Sequence, residues 1–233
     1  MNKEQLEKLT NENIKPLEHG VFDQLESLMR DTLLTNEKFN VTAITDEDKF
    51  RELMLYDSLT VLKYVSFAGK NVLDVGTGAG YPGLPLMIAS DGNFTLLDST
   101  KKKVDHINEY IKENELKNGS AVCFRVEDYA KENGETFDYV IARAVASLNI
   151  LLELCMPLLK VGGVFIAMKG AKAEEEIELS KNAFKKLDAE IIELVKFNLP
   201  ISKEERNIIL IRKNKKTNKR YPRSYSEIKK QPL

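Results

Sequence analysis

Hydrophobic residues recur with one period in the early part of the chain and with another in the rest. Val21, Phe22, Leu25, Leu28, Met29 and Leu33 fall three or four apart, which makes one apolar helix face and predicts a helix over 18–35. A shorter helix is expected over 2–11, with Pro16 and Gly20 punctuating the interval. The stretch Asn36-Glu-Lys-Phe-Asn-Val-Thr42 reads as a polar connection, and Asp46 as the cap of a helix running to about Tyr64. Beyond that point short apolar runs alternate with longer amphipathic ones. Strands are expected at 71–75, 93–97, 121–125, 139–142 and 163–168, and helices at 82–90, 100–115, 128–133, 148–160 and 173–187. Two last strands, 190–197 and 207–212, follow each other with no helix between them and should pair as an antiparallel hairpin. The expectation is an α/β fold: a mainly parallel seven-stranded sheet with helices on both faces, ending in that hairpin. It divides into a helical extension over 1–66, a core over 67–213 and a tail over 214–233.

Charge matters here through its placement. The net charge over 233 residues is −1, yet from Arg212 onward nine basic residues stand against Glu227 alone, a local +8 that leaves −9 on residues 1–211. A basic tail on an acidic body suits nucleic acid, or is a solvated arm without a partner. Cys123 and Cys155 lie in apolar contexts and suggest no disulfide, which fits a reducing cytoplasm. Cys155, mid-helix, reads as core. The polar start is unlike a signal peptide, no apolar run is long enough to span a membrane, and a monomer is the default expectation. His19 and His106 lack metal-ligand spacing, so no metal is expected.

The chemistry centres on Lys70-Asn-Val-Leu-Asp-Val-Gly-Thr-Gly-Ala-Gly-Tyr-Pro-Gly83. A strand, a glycine turn and a helix with Pro82 in its first turn make a nucleotide cradle. A dinucleotide fingerprint needs G-x-G-x-x-G directly after the strand. Counted from Gly76, its last position is Tyr81, and the matching Gly78, Gly80 and Gly83 begin two residues too late. The run is instead Asp-x-Gly-x-Gly-x-Gly over Asp74, Gly76, Gly78 and Gly80, which suits a ligand without a pyrophosphate whose amino-acid end sits over the loop; it resembles the first motif of the Rossmann-like S-adenosylmethionine methyltransferases. Asp74 would hold the loop and the methionine ammonium, directly or through water. Asp98 ends the second strand and can accept from ribose hydroxyls, a feature both cofactor classes share. Glu127, after the third strand, is placed to take an adenine amino group, with the backbone of Val126 beside the ring; Asp128 can cap the following helix.

After the fourth strand, Ile141-Ala-Arg-Ala-Val-Ala146 lacks the polar-Pro-Pro-aromatic motif of exocyclic-amine methyltransferases. No cysteine nucleophile or general base is evident. An acceptor with a free lone pair needs neither, and guanine N7 is such an atom; catalysis would be in-line positioning in a fixed polar surround.

Asp74-Val-Gly-Thr-Gly-Ala-Gly-Tyr-Pro-Gly-Leu-Pro85, Leu97-Asp-Ser99 with Lys102, Arg125-Val-Glu127, Ala142-Arg-Ala-Val-Ala-Ser-Leu148 and Met168-Lys-Gly170 together resemble the RsmG (GidB) family. These are the bacterial 16S rRNA guanine-N7 methyltransferases. The resemblance also covers Asn36–Thr42, Glu205–Arg212 and Tyr221-Pro-Arg223. It implies a Rossmann-like class I fold, cofactor contacts at Gly76, Tyr81, Val126, Glu127 and Arg143, and a guanine of the decoding-region loop as substrate. Two departures stand out. Met54 occupies the position of the family's usual histidine, and Ser224-Tyr-Ser-Glu-Ile228 replaces its Pro/Gly-containing run. Near the expected cleft, Asn40, Asp57, Lys169 and Arg206 are candidate substrate contacts. Arg220 and Arg223 suit phosphates, and Tyr221 and Tyr225 can stack on bases or pack on the body. The alternatives are a methyltransferase acting on a small molecule or another RNA, an NAD enzyme, or a binding module.

Overall fold

The computed structural model describes residues 1–233. Helix α1 (Lys3–Asn13) opens with a capping box between Asn2 and Gln5, which satisfies two donors that a helix start leaves free. Helix α2 (His19–Lys38) buries Phe22, Leu25, Leu28 and Met29, the face marked by their spacing. The stretch expected as one helix over 46–64 is helical but not uniform. Asp46 caps α3 (Glu47–Phe50) by accepting from the Lys49 amide at 2.9 Å. A π-helical stretch (Arg51–Tyr56), α4 (Asp57–Leu59) and a 3-10 turn (Thr60–Lys63) follow without a break. π segments often mark functional positions, and this one carries Leu53 and Met54 to the cleft described below.

The sheet has seven strands: β1 (Asn71–Val75), β2 (Asn93–Asp98), β3 (Gly119–Cys123), β4 (Phe137–Arg143), β5 (Leu159–Lys169), β6 (Ala189–Asn198) and β7 (Glu205–Lys213). Their order is β3-β2-β1-β4-β5-β7-β6. The first five are parallel; β7 runs antiparallel to both β5 and β6. The chain leaves β1 toward β2 on one side and returns as β4 on the other, so a crevice opens beyond the strand ends there.

Side chains alternate across the sheet, so each face has its own core. Val72 packs with Phe22, Phe50, Phe67 and Phe94, under α1, α2, α5 (Gly83–Ile88) and α6 (Lys101–Glu113). Leu73 packs with Leu151, Leu152 and Phe165, under α7 (Val126–Glu132) and α8 (Leu148–Cys155). Helices α9 (Ala173–Leu179) and α10 (Lys181–Lys186) join the second core through Ala173 and Ala183.

Several boundaries differ from expectation for local reasons. β3 starts and ends two residues earlier, at Cys123, because Arg125 already serves as the N-cap of α7 in extended conformation. Asp128 is therefore inside that helix and pairs with Lys131 instead of capping. The helix after β4 stops at Cys155, because Pro157 has no amide proton and the chain tightens into a 3-10 turn (Met156–Leu158). The helix expected over 173–187 breaks at Ser180, whose buried hydroxyl donates back to the Glu176 carbonyl at 2.6 Å. Cys155 is fully buried and its thiol is pushed up by desolvation, while Cys123 is exposed. No helix is long and apolar enough to cross a membrane.

The basic tail is docked, not free. Tyr221, Ile228 and Leu233 are buried against the second core, and a short α11 (Tyr225–Lys230) starts with a Ser224–Glu227 capping box.

Candidate cofactor and acceptor site

The glycine loop is built from beneath. The amides of Gly76 and Thr77 donate to the Leu97 carbonyl at 2.8 and 3.0 Å, and the Gly78 amide donates to Asp98 Oδ2 at 3.0 Å. Gly76, Gly78 and Gly80 have φ of +70°, +62° and +95°, a region that side chains rarely adopt. A Cβ on Gly76 would also meet Val145 Cγ2 at 2.7 Å. Asp74 lies fully buried under the loop, its Oδ2 accepting from Thr77 Oγ1 at 2.6 Å and from the Gly83 amide at 2.8 Å. Desolvation pushes its carboxyl up to about 6, against the pull of those two bonds and of Arg143. Asp74 is thus a loop-holding residue; it does not line the cleft.

Tyr81 takes the loop to the helical extension. Its buried hydroxyl meets Thr32 Oγ1 at 2.9 Å and its ring stands edge-on to Phe50, 5.5 Å between centroids. Burial raises the phenol's pKa further. The ring forms part of the cleft's inner wall, and its hydroxyl is committed to α2.

Two cavities open at the strand ends. The larger, about 950 Å³, runs from Gly76 and Asp98 past Arg143 to Val41, Met54 and Arg206. The smaller, about 240 Å³, is walled by Phe124, Arg125, Val126, Glu127, Leu154 and Tyr225. Gly76, Asp98, Ala144 and Val145 border both. Asp98 also accepts from the Thr100 amide at 2.8 Å, so its carboxylate is fixed in place while it faces both spaces.

At the far end of the larger cavity, Asp57 is 3% exposed and lies between two guanidinium groups. Arg143 NH1 and Arg206 Nε each donate to its Oδ2 at 3.3 Å, and its Oδ1 has no partner. Arg143 NH1 also donates to the Leu53 carbonyl at 3.2 Å, and its NH2 faces only the Met54 sulfur at 3.5 Å. A thioether is a weak acceptor, so the departure at Met54 leaves that guanidinium edge with donor capacity to spare. Arg206 NH2 donates to Glu204 at 2.9 Å.

Lys169 ends β5 with its ammonium committed: it meets Glu176 at 2.8 Å and donates to the Ala146 carbonyl at 2.6 Å. Glu176 in turn accepts from the Leu148 amide at 2.7 Å. The pair fastens the turn Ala144–Ser147, in which Ala144 has φ +55°. Around the larger cavity Lys103, Arg143, Lys169 and Arg206 stand against Asp57, Asp98, Glu176 and Glu204. That balance is unlike a polyphosphate trap, which concentrates positive charge.

Of the residues singled out by sequence, the structure brings Gly76, Gly78, Tyr81, Asp98, Arg143, Asp57, Lys169 and Arg206 to the larger cavity, and Val126 and Glu127 to the smaller. Asp74 and Gly80 sit behind the loop. Asn40 is exposed and outside the lining, where Val41 and Ile44 take its place. Arg220 and Arg223 are also elsewhere. Arg220 folds over the Tyr221 ring and donates to its hydroxyl at 2.6 Å, and Arg223 grips the fully buried Glu153 at 2.6 and 2.7 Å. Arg220 stays exposed, while Arg223 fastens the tail to the body. Sequence reasoning missed Lys103, Glu176, Glu204 and the placement of Tyr225. Glu176 is visible in the sequence as part of an acidic helix start, but nothing there says that it faces the lysine that ends the preceding strand.

The family model for GidB, rRNA small subunit methyltransferase G, matches residues 22–209. The chain belongs to that family. A ribosomal RNA small subunit methyltransferase G of Bacillus cereus (strain AH187) is 40% identical, over 100% of this chain and 99% of its own. Among solved structures, the O-methyltransferase of Bacillus cereus in complex with SAH aligns at a TM-score of 0.58, with 16% identity, covering 89% of this chain and 97% of that one. TYW2 of M. jannaschii, solved with AdoMet, aligns at 0.53 with 21% identity over 64% of this chain and 72% of its own. At such identities these likenesses concern the fold, which is that of the class I methyltransferases.

Proposed function

We propose that the chain transfers the methyl group of S-adenosylmethionine to N7 of a guanine in the decoding-region loop of 16S rRNA by direct in-line displacement. Membership of the family makes it an S-adenosylmethionine-dependent rRNA methyltransferase; the acceptor atom, the nucleotide and the route are our reading. The carrying observation is the chemistry of the cleft wall. It holds no histidine and no cysteine; its carboxylates Asp57, Glu176 and Glu204 are bound to guanidinium and ammonium groups, and Asp98 accepts from the Gly78 and Thr100 amides. Such a wall suits an acceptor that needs no deprotonation, and guanine N7 carries a free in-plane lone pair.

The cofactor fits what is present: a glycine loop where a Cβ would intrude, a carboxylate facing both cavities, and a spare guanidinium edge. When bound, it supplies a methyl group on a positively charged sulfur. Asp98 accepts from the ribose hydroxyls, Glu127 from the adenine amino group with Val126 beside the ring, and Gly76 lies against the amino-acid end. Arg143 offers its free edge to the cofactor carboxylate. Asp57 holds Arg143 and Arg206 apart at a fixed spacing, so the acceptor base meets a rigid wall. Val41, Ile44 and Met54 add apolar surface at that end of the cleft. Lys219, Lys229 and Lys230 stay exposed and suit rRNA phosphates. The small ribosomal subunit as partner also places the reaction in the cytoplasm.

The test is methyl transfer from labelled S-adenosylmethionine to 30S particles that lack the modification, with the product nucleotide mapped. Label at N7 of one decoding-loop guanine is expected; label at another atom, or on a small molecule only, overturns the reading.

A further inference from the structure

Only one side chain of the segment 214–233 lines either cavity of the site: Tyr225, in the wall of the smaller one. Its position is fixed on both sides in the chain. Upstream, Arg223 is bound to the buried Glu153 carboxylate at 2.6 and 2.7 Å, and Ser224 caps α11, of which Tyr225 is the first residue. Downstream, Ile228 is fully buried in the second core. The Arg125 guanidinium carbon lies 4.9 Å over the Tyr225 ring, and Arg125 itself approaches Glu127 at 3.6 Å. Tyr225 therefore closes a slot whose other walls are Phe124, Val126, Glu127 and Leu154.

We propose that Tyr225 is a cofactor-binding residue: the docked tail closes the nucleoside end of the site, and the Tyr225 ring supplies an apolar wall for the adenine. The slot, about 240 Å³, has room for one heterocycle and is bordered by the ribose-facing Asp98. Phe124, 43% exposed, adds a second aromatic surface to the same slot. An aromatic wall adds contact area that any purine face can use. A platform for rRNA bases would present a free ring to solvent. This ring is half-buried and carries a guanidinium on one face.

The inference rests on the smaller cavity being the adenine end. Calorimetry on the full chain with S-adenosylmethionine, S-adenosylhomocysteine and 5′-methylthioadenosine tests both. Tyr225→Ala should weaken all three by roughly tenfold, and Tyr225→Phe by less than about twofold. Thermal unfolding of the unliganded variants should match the parent, which a merely structural role would not allow. Trypsin provides a second readout: S-adenosylmethionine should slow cleavage at Lys229 and Lys230 in the parent and not in Tyr225→Ala. Affinities of Tyr225→Ala within twofold of the parent overturn the proposal, as does a loss confined to the KM for 30S particles. A parent protein that binds S-adenosylmethionine but not 5′-methylthioadenosine overturns it too. A parent that binds none of the three overturns the reading of the cavity itself.

Discussion

The two ends of the chain cover opposite faces of one sheet and are held by different means. The helical extension is joined to the core over a wide apolar surface that includes Phe22, Leu25, Met29 and Phe50. Its charges are satisfied mostly within it: Arg51 forms a buried two-bond pair with Glu26, 2.7 and 2.9 Å, and also meets Glu47 and Asp48. The tail is a narrow strap with three buried apolar anchors and one clamp, Arg223 on Glu153. Each end reaches the cleft. The extension brings Met54 and Asp57 to the larger cavity, and the tail brings Tyr225 to the smaller. The difference teaches that one terminus is part of the scaffold that fixes charge in the site, whereas the other is a local cover.

The strongest way to break that contrast is at Arg51. Arg51→Leu leaves Glu26 buried and unpaired and should lower global stability by about 3–5 kcal/mol, measured by urea unfolding followed by circular dichroism. Next comes Asp57→Ala, which leaves Arg143 and Arg206 without their shared acceptor. Single-turnover methyl transfer to 30S particles should fall roughly a hundredfold; retention of more than half the parent rate would remove Asp57 from the site's framework. At the tail, Glu153→Gln should cost about 2 kcal/mol, less than Arg51→Leu, with tryptic cleavage of the tail accelerated ahead of global unfolding. If the tail variant proves the less stable of the two, the strap is scaffold after all.

The smallest effect concerns Asp74. Burial pushes its carboxyl up to about 6, above the ordinary aspartate range, so the folded state binds this proton more tightly than the unfolded state. The stability linked to it is complete below about pH 4 and is lost as pH rises through about 6. Asp74→Asn should flatten the thermal midpoint across that window while the parent's midpoint declines. Parallel curves for the two proteins would show that Asp74 does not titrate there.

The sheet was legible because its strands announce themselves by period and its loop by glycine register. Asp98 and Glu127 could be placed at the site from position alone, since strand ends in such a fold must face the crevice. What could not be read were contacts set by tertiary packing. Arg223 looked like a phosphate ligand because nothing local reveals that Glu153, far back in the chain, is buried beneath it. Lys169 looked free because its partners lie on a different helix and a turn. The same holds for Tyr225: the sequence allows it to stack on bases or to pack on the body, and only tertiary packing decides which surface it meets. The π-helical stretch is a subtler miss: its apolar spacing passes for an ordinary helix, while one widened turn decides which residues reach the cleft.

Tyr81 carries a consequence for how this protein can be taken apart. Its hydroxyl is bonded to Thr32 and its ring rests on Phe50, so the loop after β1 is completed by residues from the first helices. The extension is not a detachable module in the way a linker-joined accessory domain is. A fragment beginning at residue 67 would open the buried side of its own glycine loop to water. Minimal versions for screening or crystallography therefore keep the first helices.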